Sequence, residues 1–277
     1  MSRFKILRWK KLFGLFMQNN KYLKVFEISF LHAAKNYRTI IGLSLFLVVC
    51  MIIFSNLWEV LSVKTRMLQM NRNQLLWYVA LNQWVLIAIP RVDRDIQFDF
   101  QTGKLTYLLT RPISYLKCVF FEGLGTLIVN LIGLGIVTFI VTTCFVGWLP
   151  IPFFSWCVFI LLALLAGILE MIFFMMIGVS SFWMHDCEPL AWIWEKFLFA
   201  FGGLILPLSI YPQYLQTIAN YSPFPLILGG RSSLVFDFNF HQTSVIFFSM
   251  LAWILIASLI LVALFRKGLK NLTIEGG

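Results

Sequence analysis

Charged side chains are scarce in this sequence: they make up 12% of its 277 residues, whereas hydrophobic side chains make up 60%. A soluble globular domain carries about 25% charged residues, so a soluble chain of this composition would lack the polar surface needed to cover its core. This excludes soluble enzymes, secreted disulfide domains and disordered regulators. Two uncharged runs, residues 39–58 and 245–265, match the roughly 20 residues that a helix needs to cross a bilayer. The composition therefore indicates a polytopic membrane protein.

The residues of common metal, disulfide and catalytic motifs are also few. The five cysteines form no CxxC pair and the three histidines lack HExxH spacing, so neither a disulfide framework nor a metal site is predicted. The one Gly-Lys pair, Gly103-Lys104, is followed by Leu105, so the chain lacks a GxxxxGK(S/T) phosphate loop. It also lacks a GxSxG elbow. The run from His185 to Glu188 has metal-ligating residue types but is more typical of a solvated turn. We therefore expect neither catalysis nor a cofactor on this chain.

The hydrophobic runs predict an all-α polytopic membrane protein with six transmembrane helices. The predicted spans are residues 39–58, 75–90, 119–147, 153–184, 190–211 and 245–265. The third and fourth are longer than one crossing needs, so tilt or extension beyond the bilayer is expected. Within the N-terminal region, residues 1–38, a basic amphipathic helix over residues 4–17 is predicted to lie in the membrane interface. A second helix, from residue 21 to residue 38, is predicted to lead into the membrane.

The basic residues predict the orientation of these helices. With both chain ends in the cytoplasm, 18 of the 22 Lys and Arg residues fall on the cytoplasmic side, nine of them before residue 39. Cytoplasmic loops carry an excess of Lys and Arg, so the N-terminal region and the tail, residues 266–277, are both predicted inside. Juxtamembrane basic clusters are attracted to anionic lipid, so the lipid bilayer is the expected partner of these residues. No aromatic-rich RNA motif accompanies them, and no nucleic-acid partner is expected.

Four polar residues inside the predicted spans are candidates for a translocation pathway: Glu170, Glu122, Asn82 and Gln83. An ionisable residue within a membrane is a functional hypothesis by default. Glu170 lies near the middle of its span, where a hydrogen-bonded carboxyl within helix packing is an equally good interpretation. Glu122 lies near an inner end and can reach the interface. The outer segment, residues 212–243, is rich in proline yet apolar, which predicts a re-entrant segment that acts as a gate.

Residues 91–117 form a long cytoplasmic loop between the second and third spans. The loop contains Asp95-Ile96, Thr102-Gly103, Leu108-Leu109 and Arg111-Pro112-Ile113-Ser114. With these motifs the chain resembles the ABC-2 type permeases, the membrane subunits of ATP-binding-cassette exporters, and especially the small bacterial six-span members. The resemblance covers essentially the whole chain. It implies a bacterial cytoplasmic (inner) membrane location and pairing with a second permease subunit, identical or sibling. It also implies docking of two separate ATPase subunits, which hold ATP and Mg.

The resemblance further implies that the loop contains the coupling helix that docks on the ATPase. The predicted docking residues are Asp95, Ile96, Phe98, Asp99, Phe100, Gly103 and Arg111. The two aspartates belong to a short polar helix, the isoleucine and the two phenylalanines are its apolar contacts, and the glycine ends it as a C-cap. The arginine precedes a proline and is expected to be extended. A merely solvated loop is the alternative.

Two other classes of function stay open. An ion-coupled secondary transporter should show interrupted or polar helices at matching positions of two repeats, whereas the first and last spans have almost no polar groups. An intramembrane enzyme needs two convergent ionisable residues at similar depth, and only Glu170 qualifies. The predicted function is therefore the noncatalytic permease subunit of an ABC exporter. The sequence does not name its substrate.

Overall fold

The computed structural model describes residues 21–62, 72–148, 152–204, 208, 211–236 and 238–275. The helices within these ranges are α1 (Lys21–Lys35), α2 (Tyr37–Ser62), α3 (Arg72–Ala88), α4 (Val92–Gln101), α5 (Lys104–Leu109), α6 (Tyr115–Val146), α7 (Phe153–Met184), α8 (Glu188–Phe201), α9 (Gln213–Asn220), α10 (Phe224–Ile227), α11 (Gly229–Ser233) and α12 (Phe240–Glu275). They confirm the predicted all-α class. The amphipathic helix predicted at residues 4–17 lies outside the described residues.

Among the described residues, five stretches are long and apolar enough to cross a bilayer: Tyr37–Asn56, Asn73–Gln101, Tyr115–Val146, Phe153–Met184 and Phe240–Lys270. They confirm a multi-pass membrane protein. The fifth predicted span, residues 190–211, corresponds to α8, which has only 14 residues. A helix of that length extends about 21 Å, less than the hydrocarbon core of about 30 Å. Most of residues 205–210 are not described, so the six-span count and the cytoplasmic termini stay predictions.

The second of these stretches breaks at Pro90, between the end of α3 and the start of α4. Proline has no amide hydrogen for the helical bond, and its ring clashes with the preceding turn. The helix that resumes after the break is polar, with Asp93 and Asp95 in its first turn, where carboxylates favour the helix dipole. The break therefore separates an apolar, almost fully buried helix from a short amphipathic one.

α6 and α7 extend well beyond one bilayer thickness. Each has 32 residues and a length of about 48 Å, as the long apolar runs led us to expect. α1 packs along the first part of α6, where Ser29 Oγ donates a hydrogen bond to the carbonyl oxygen of Glu122 (2.7 Å). Further along α6, Ile40 of α2 lies against Gly133. α1 and α2 therefore run beside α6 in the same direction.

The last part of α7 is covered by α4 and α12. Ile96 of α4 lies against Gly178, where a Cβ atom would be only 2.9 Å from it. The ring of Phe100 is 5.2 Å from that of Phe182, which also contacts Phe265 of α12 at 5.9 Å. α7 is thus the central helix of the bundle, and α4 packs directly against it.

Gly125 of α6 allows the close approach of α1. A Cβ atom there would lie 2.9 Å from the carbonyl oxygen of Phe26 and 2.9 Å from the amide nitrogen of Phe30. Because backbone atoms cannot rotate aside, Gly125→Ala is expected to displace α1 and to destabilise the protein by about 1–3 kcal/mol. Thermal unfolding of the purified chain in detergent measures this effect. Gly42→Ala is the control, since a Cβ at that position meets nothing within 4 Å. Equal shifts in the two variants would contradict the close packing.

Candidate functional site

An ion-pair cluster lies at the break between α3 and α4. Arg91 donates to both carboxylate oxygens of Asp93, from Nε at 3.0 Å and from Nη2 at 2.8 Å. It also donates from Nη1 to Oε1 of Glu195 on α8, at 2.6 Å. Its guanidinium carbon lies 5.0 Å from the ring centroid of Phe174 on α7. One side chain thus ties three helices together, and we call Arg91, Asp93 and Glu195 the hinge cluster.

Glu170 of α7 lies beside the hinge cluster. Its side chain is fully buried, and its Oε1 accepts a hydrogen bond from Nε1 of Trp194 at 2.8 Å. Its other oxygen has no hydrogen-bond partner among the described residues. The carboxyl interacts electrostatically with Glu195, Asp93 and Arg91. The sequence suggests an isolated acid in mid-span, but the structure places Glu170 in a group of four ionisable residues.

A cavity of about 380 Å³ adjoins the hinge cluster and is lined by residues of α2, α3, α7 and α8 and by Leu204. Three polar residues, Gln83, Arg91 and Glu195, contribute to its wall. The other lining residues are apolar and include Phe46, Cys50, Ile53, Phe54, Phe174 and Phe199. Sites for small molecules typically enclose about 300–1,000 Å³ and combine apolar walls with a few polar groups. The size and lining of this cavity therefore suit a small amphipathic molecule.

The four predicted pathway residues do not converge on one site. Gln83 lines the cavity, and Glu170 lies behind the hinge cluster. Asn82, although next in sequence to Gln83, faces α11, where its Oδ1 accepts a hydrogen bond from Ser232 Oγ at 2.6 Å. Glu122 is exposed beside α1. Consecutive positions on a helix point about 100° apart, so neighbours in the sequence serve different surroundings.

The segment from α10 to α11 packs into the bundle. Its buried residues are Pro225, Ile227, Leu228, Gly229, Arg231 and Ser232. The amide nitrogen of Gly229 donates to the carbonyl oxygen of Gly202, at the end of α8, at 2.8 Å. Tyr78 of α3 donates its hydroxyl to the adjacent carbonyl oxygen of Gly203. This part of residues 212–243 is buried in the bundle, which agrees with its apolar character. Its role as a gate stays a prediction.

Arg231 is fully buried, although the predicted topology makes it one of the four Lys and Arg residues on the outer side. Its Nε donates to the carbonyl oxygen of Ile227 at 2.8 Å, and its guanidinium carbon lies 5.3 Å from the ring centroid of Phe159. Its two Nη atoms have no hydrogen-bond partner in the described part of the chain. In the sequence, the signal for a buried arginine is that this charged residue directly follows Gly229-Gly230 within an apolar segment.

Three of the predicted docking residues are turned into the chain. Ile96 is fully buried, and Phe100 packs against α7. Asp99 accepts hydrogen bonds from Lys104 Nζ at 2.7 Å and from the Tyr115 hydroxyl at 3.0 Å. The hydrogen bond from Lys104 to this carboxylate raises the pKa of its ammonium group. Ile96 and Asp99 are therefore buried, and Phe100 is partly buried against α7, so these side chains contribute little to the surface that we predicted a partner to contact.

The other predicted docking residues lie on an exposed surface. Phe98 exposes 60% of its area, and Asp95 and Arg111 are also exposed. Gly103 follows the end of α4 in the left-handed conformation, with φ of 72°, as expected of a residue that ends a helix. The guanidinium carbon of Arg111 lies 4.7 Å from the ring centroid of Tyr107, which exposes 62% of its area. We call Asp95, Phe98, Tyr107 and Arg111 the α4–α5 surface.

Cys187, in the turn before α8, is fully buried beneath α4. Oε1 of Gln97 accepts hydrogen bonds from its Sγ at 2.8 Å and from its amide nitrogen at 3.0 Å. The interpretation of this run as a solvated turn is therefore wrong for Cys187. Across the described ranges no three His, Cys, Asp or Glu residues are grouped so that they could hold a metal ion.

Burial raises the pKa of the Cys187 thiol to about 11. Because the thiolate is the reactive form, only about one thiol in a thousand is reactive at pH 8. With the other four cysteines replaced by alanine, maleimide labelling of the folded chain should be slow and should accelerate as the pH rises toward 11. Labelling after denaturation in SDS gives the rate for an exposed thiol. Equal rates in the two states would contradict the burial of Cys187.

Comparison with known proteins identifies a family that the chain matches. Residues 71–276 match a family model described as ABC-2 family transporter protein, and a search of curated proteins gives no match. The matched residues include α3 to α12, and with them the hinge cluster, the α4–α5 surface and the segment from α10 to α11. They cover most of the 277 residues. The chain therefore belongs to the ABC-2 family of transporter proteins, as the motifs of residues 91–117 suggested.

Proposed function

We propose that the chain is the permease subunit of an ABC exporter, in which it forms half of the substrate pathway. Its ABC-2 family membership and its five apolar spans support a membrane-embedded transport component. As the resemblance to ABC-2 type permeases implies, ATP and Mg are held by two copies of a separate ATPase subunit. A second permease subunit completes the pathway. The assembly lies in the bacterial cytoplasmic membrane, with both termini of this chain inside.

The α4–α5 surface is the observation that carries the proposed coupling to an ATPase. Phe98 and Tyr107 expose 60% and 62% of their areas, and Asp95 and Arg111 provide charges beside them. Aromatic side chains within a polar rim are typical of the centres of protein interfaces. Both aromatic residues follow the Pro90 break, on the polar helices between two spans. We therefore place the docking site on this surface, without Ile96 and Phe100.

The packing of α4 makes this surface suited to transmit motion. α4 contacts α7 closely, with Ile96 against Gly178. It is also joined to α8, because Arg91 binds Asp93 of α4 and Glu195 of α8 at once. α7 and α8 therefore both contact α4. A partner that displaces Phe98 would act on these two helices through α4.

Replacing both Phe98 and Tyr107 with alanine is expected to reduce co-purification of the ATPase at least about tenfold. A tenfold loss of affinity corresponds to about 1.4 kcal/mol, and aromatic side chains at the centre of an interface contribute more than that. Both side chains are exposed, so the spans should insert normally. The measurement is the amount of ATPase that a tagged permease retains after co-expression, with ATP-driven transport as a second readout.

A matched control removes one phenylalanine and one tyrosine elsewhere. Phe240 and Tyr221 expose 74% and 83% of their areas and lie far from α4 and α5 in the sequence. Their alanine variants should retain the ATPase. The docking assignment would be wrong if both double variants bound the ATPase equally well.

Glu170→Gln is expected to lower ATP-driven transport about tenfold, a change of about 1.4 kcal/mol, because the buried carboxyl acts together with the hinge cluster. Glutamine keeps an acceptor for Trp194, so the fold should persist. Glu122→Gln, at an exposed position, should change transport little. The assay is efflux from proteoliposomes that contain the permease and its ATPase, normalised to the amount of permease. Full transport by Glu170→Gln would assign this residue to helix packing alone.

A further inference from the structure

The cavity beside the hinge cluster has a polar end and an apolar body. Arg91 and Glu195 form the polar end, and 31% and 25% of their side-chain areas are exposed. Gln83 lies eight residues before Arg91, on the other side of the Pro90 break, and the lining residues between them, Leu86, Ile87 and Ile89, are apolar. This order of surfaces suits a molecule whose polar group lies against the hinge cluster and whose apolar part extends toward the middle of the span.

The polar end carries an excess of negative charge. One guanidinium, that of Arg91, faces the two carboxylates of Asp93 and Glu195. Asp93 is fully buried and receives two hydrogen bonds from Arg91, whereas Glu195 receives one and is partly exposed. The carboxylate that lines the cavity is thus the less compensated of the two. Arg91, Asp93 and Glu195 together carry one net negative charge, so the polar end attracts a cationic group more strongly than an anionic one.

Neighbouring charges do not reverse this preference. Lys196 of α8 is exposed and lies over the ring of Phe199, at 5.2 Å, outside the cavity lining. Arg94 is paired with Glu188 at 2.9 Å, at an exposed position also outside it. Glu170 lies behind the hinge cluster and contributes no positive charge.

The walls favour a cation as well. Four phenylalanines line the cavity: Phe46, Phe54, Phe174 and Phe199. The faces of aromatic rings attract positive charge at distances within about 6 Å. Phe174 already makes such a contact, with the guanidinium of Arg91 at 5.0 Å. Phe199 makes one too, with the ammonium group of Lys196 at 5.2 Å, so the aromatic walls accept cations, in agreement with the net negative charge of the polar end.

We infer that this cavity binds amphipathic cations, with an ammonium or other onium group against Glu195 and an apolar body between α2 and α8. The inference deepens the proposed function, on which it rests, by naming the class of substrate. The volume of about 380 Å³ limits the occupant to one molecule at the lower end of the usual range for ligand sites.

Binding of radiolabelled tetraphenylphosphonium to the purified chain in nanodiscs, without any ATPase, tests the inference. Saturable binding is expected, and it should be displaced by dodecyltrimethylammonium but not by dodecyl sulfate. The two competitors share a chain length and differ in the sign of their charge. Absence of saturable binding, or equal displacement by both competitors, would overturn the inference.

Two acidic residues of α8 provide a matched pair of variants. Glu195→Gln keeps an acceptor for Arg91 and should weaken tetraphenylphosphonium binding about tenfold, because it removes the excess negative charge. Glu188→Gln makes the same change on the same helix, also beside an arginine, Arg94, but outside the cavity. It should bind as the wild type does. Equal affinities of the two variants would contradict the role of Glu195.

A second pair of variants tests the volume of the cavity, in case Glu195→Gln folds poorly. Cys50→Trp fills the cavity and should abolish binding, whereas Val49→Trp places the same ring at a position that is 51% exposed and outside the lining. Undiminished binding by Cys50→Trp would overturn the site. The outcome is separate from that of the proposed function: cation binding without ATP-driven transport refutes the exporter, and ATP-driven transport without cation binding refutes this site.

Discussion

The ion pair between Arg91 and the carboxylates of Asp93 and Glu195 is the interaction on which the arrangement of helices around α7 depends. The helix breaks at Pro90, and the backbone hydrogen bonds there, from Val92 to Pro90 and from Arg94 to Arg91, are local and do not tie α4 to another helix. Arg91 supplies that restraint, because it binds the first turn of α4 and the side of α8 at the same time. Asp93 is fully buried, and an uncompensated buried carboxylate costs several kcal/mol. The same interaction that fixes the helices therefore also forms the polar end of the cavity.

The length of α6 and α7 requires other helices to cover their ends. Each helix is about 48 Å long, and an apolar surface that extends past a bilayer of about 30 Å must be covered by protein. α1 covers the start of α6, and α4 covers the end of α7, where Ile96 lies against Gly178. The two amphipathic helices that cover these ends leave their polar faces exposed. In this way the covering of excess apolar surface produces the α4–α5 surface.

Much of this architecture could be predicted from the sequence, because hydrophobic run length reports burial directly. The end of α8 could not, because this helix ends at Phe201 and the chain turns at Gly202 and Gly203, the latter with φ of 70°, inside a run that hydropathy predicts as one span. A hydropathy window reads through such a turn. Helical spacing could have separated Ile96 and Phe100, four residues apart on one face, from Phe98 on the opposite face. The burial of Arg231 depends on contacts between distant segments, which no local pattern reports.

α8 connects the hinge cluster to the segment from α10 to α11. At the middle of α8, Glu195 binds Arg91, and the ring of the preceding residue, Trp194, lies 4.9 Å from that of Phe224 in α10. Directly after the C-terminal end of α8, Gly202 accepts a hydrogen bond from Gly229 (2.8 Å), so the segment contacts α8 at its middle and at its C-terminal end. α8 also forms one wall of the cavity. A displacement of α4 would therefore act through Arg91 on α8, changing the cavity and the segment together, as a rigid helix shift does in packed switches. In the proposed assembly, this contact path would let an ATPase docked on the α4–α5 surface affect the proposed cation site without touching it.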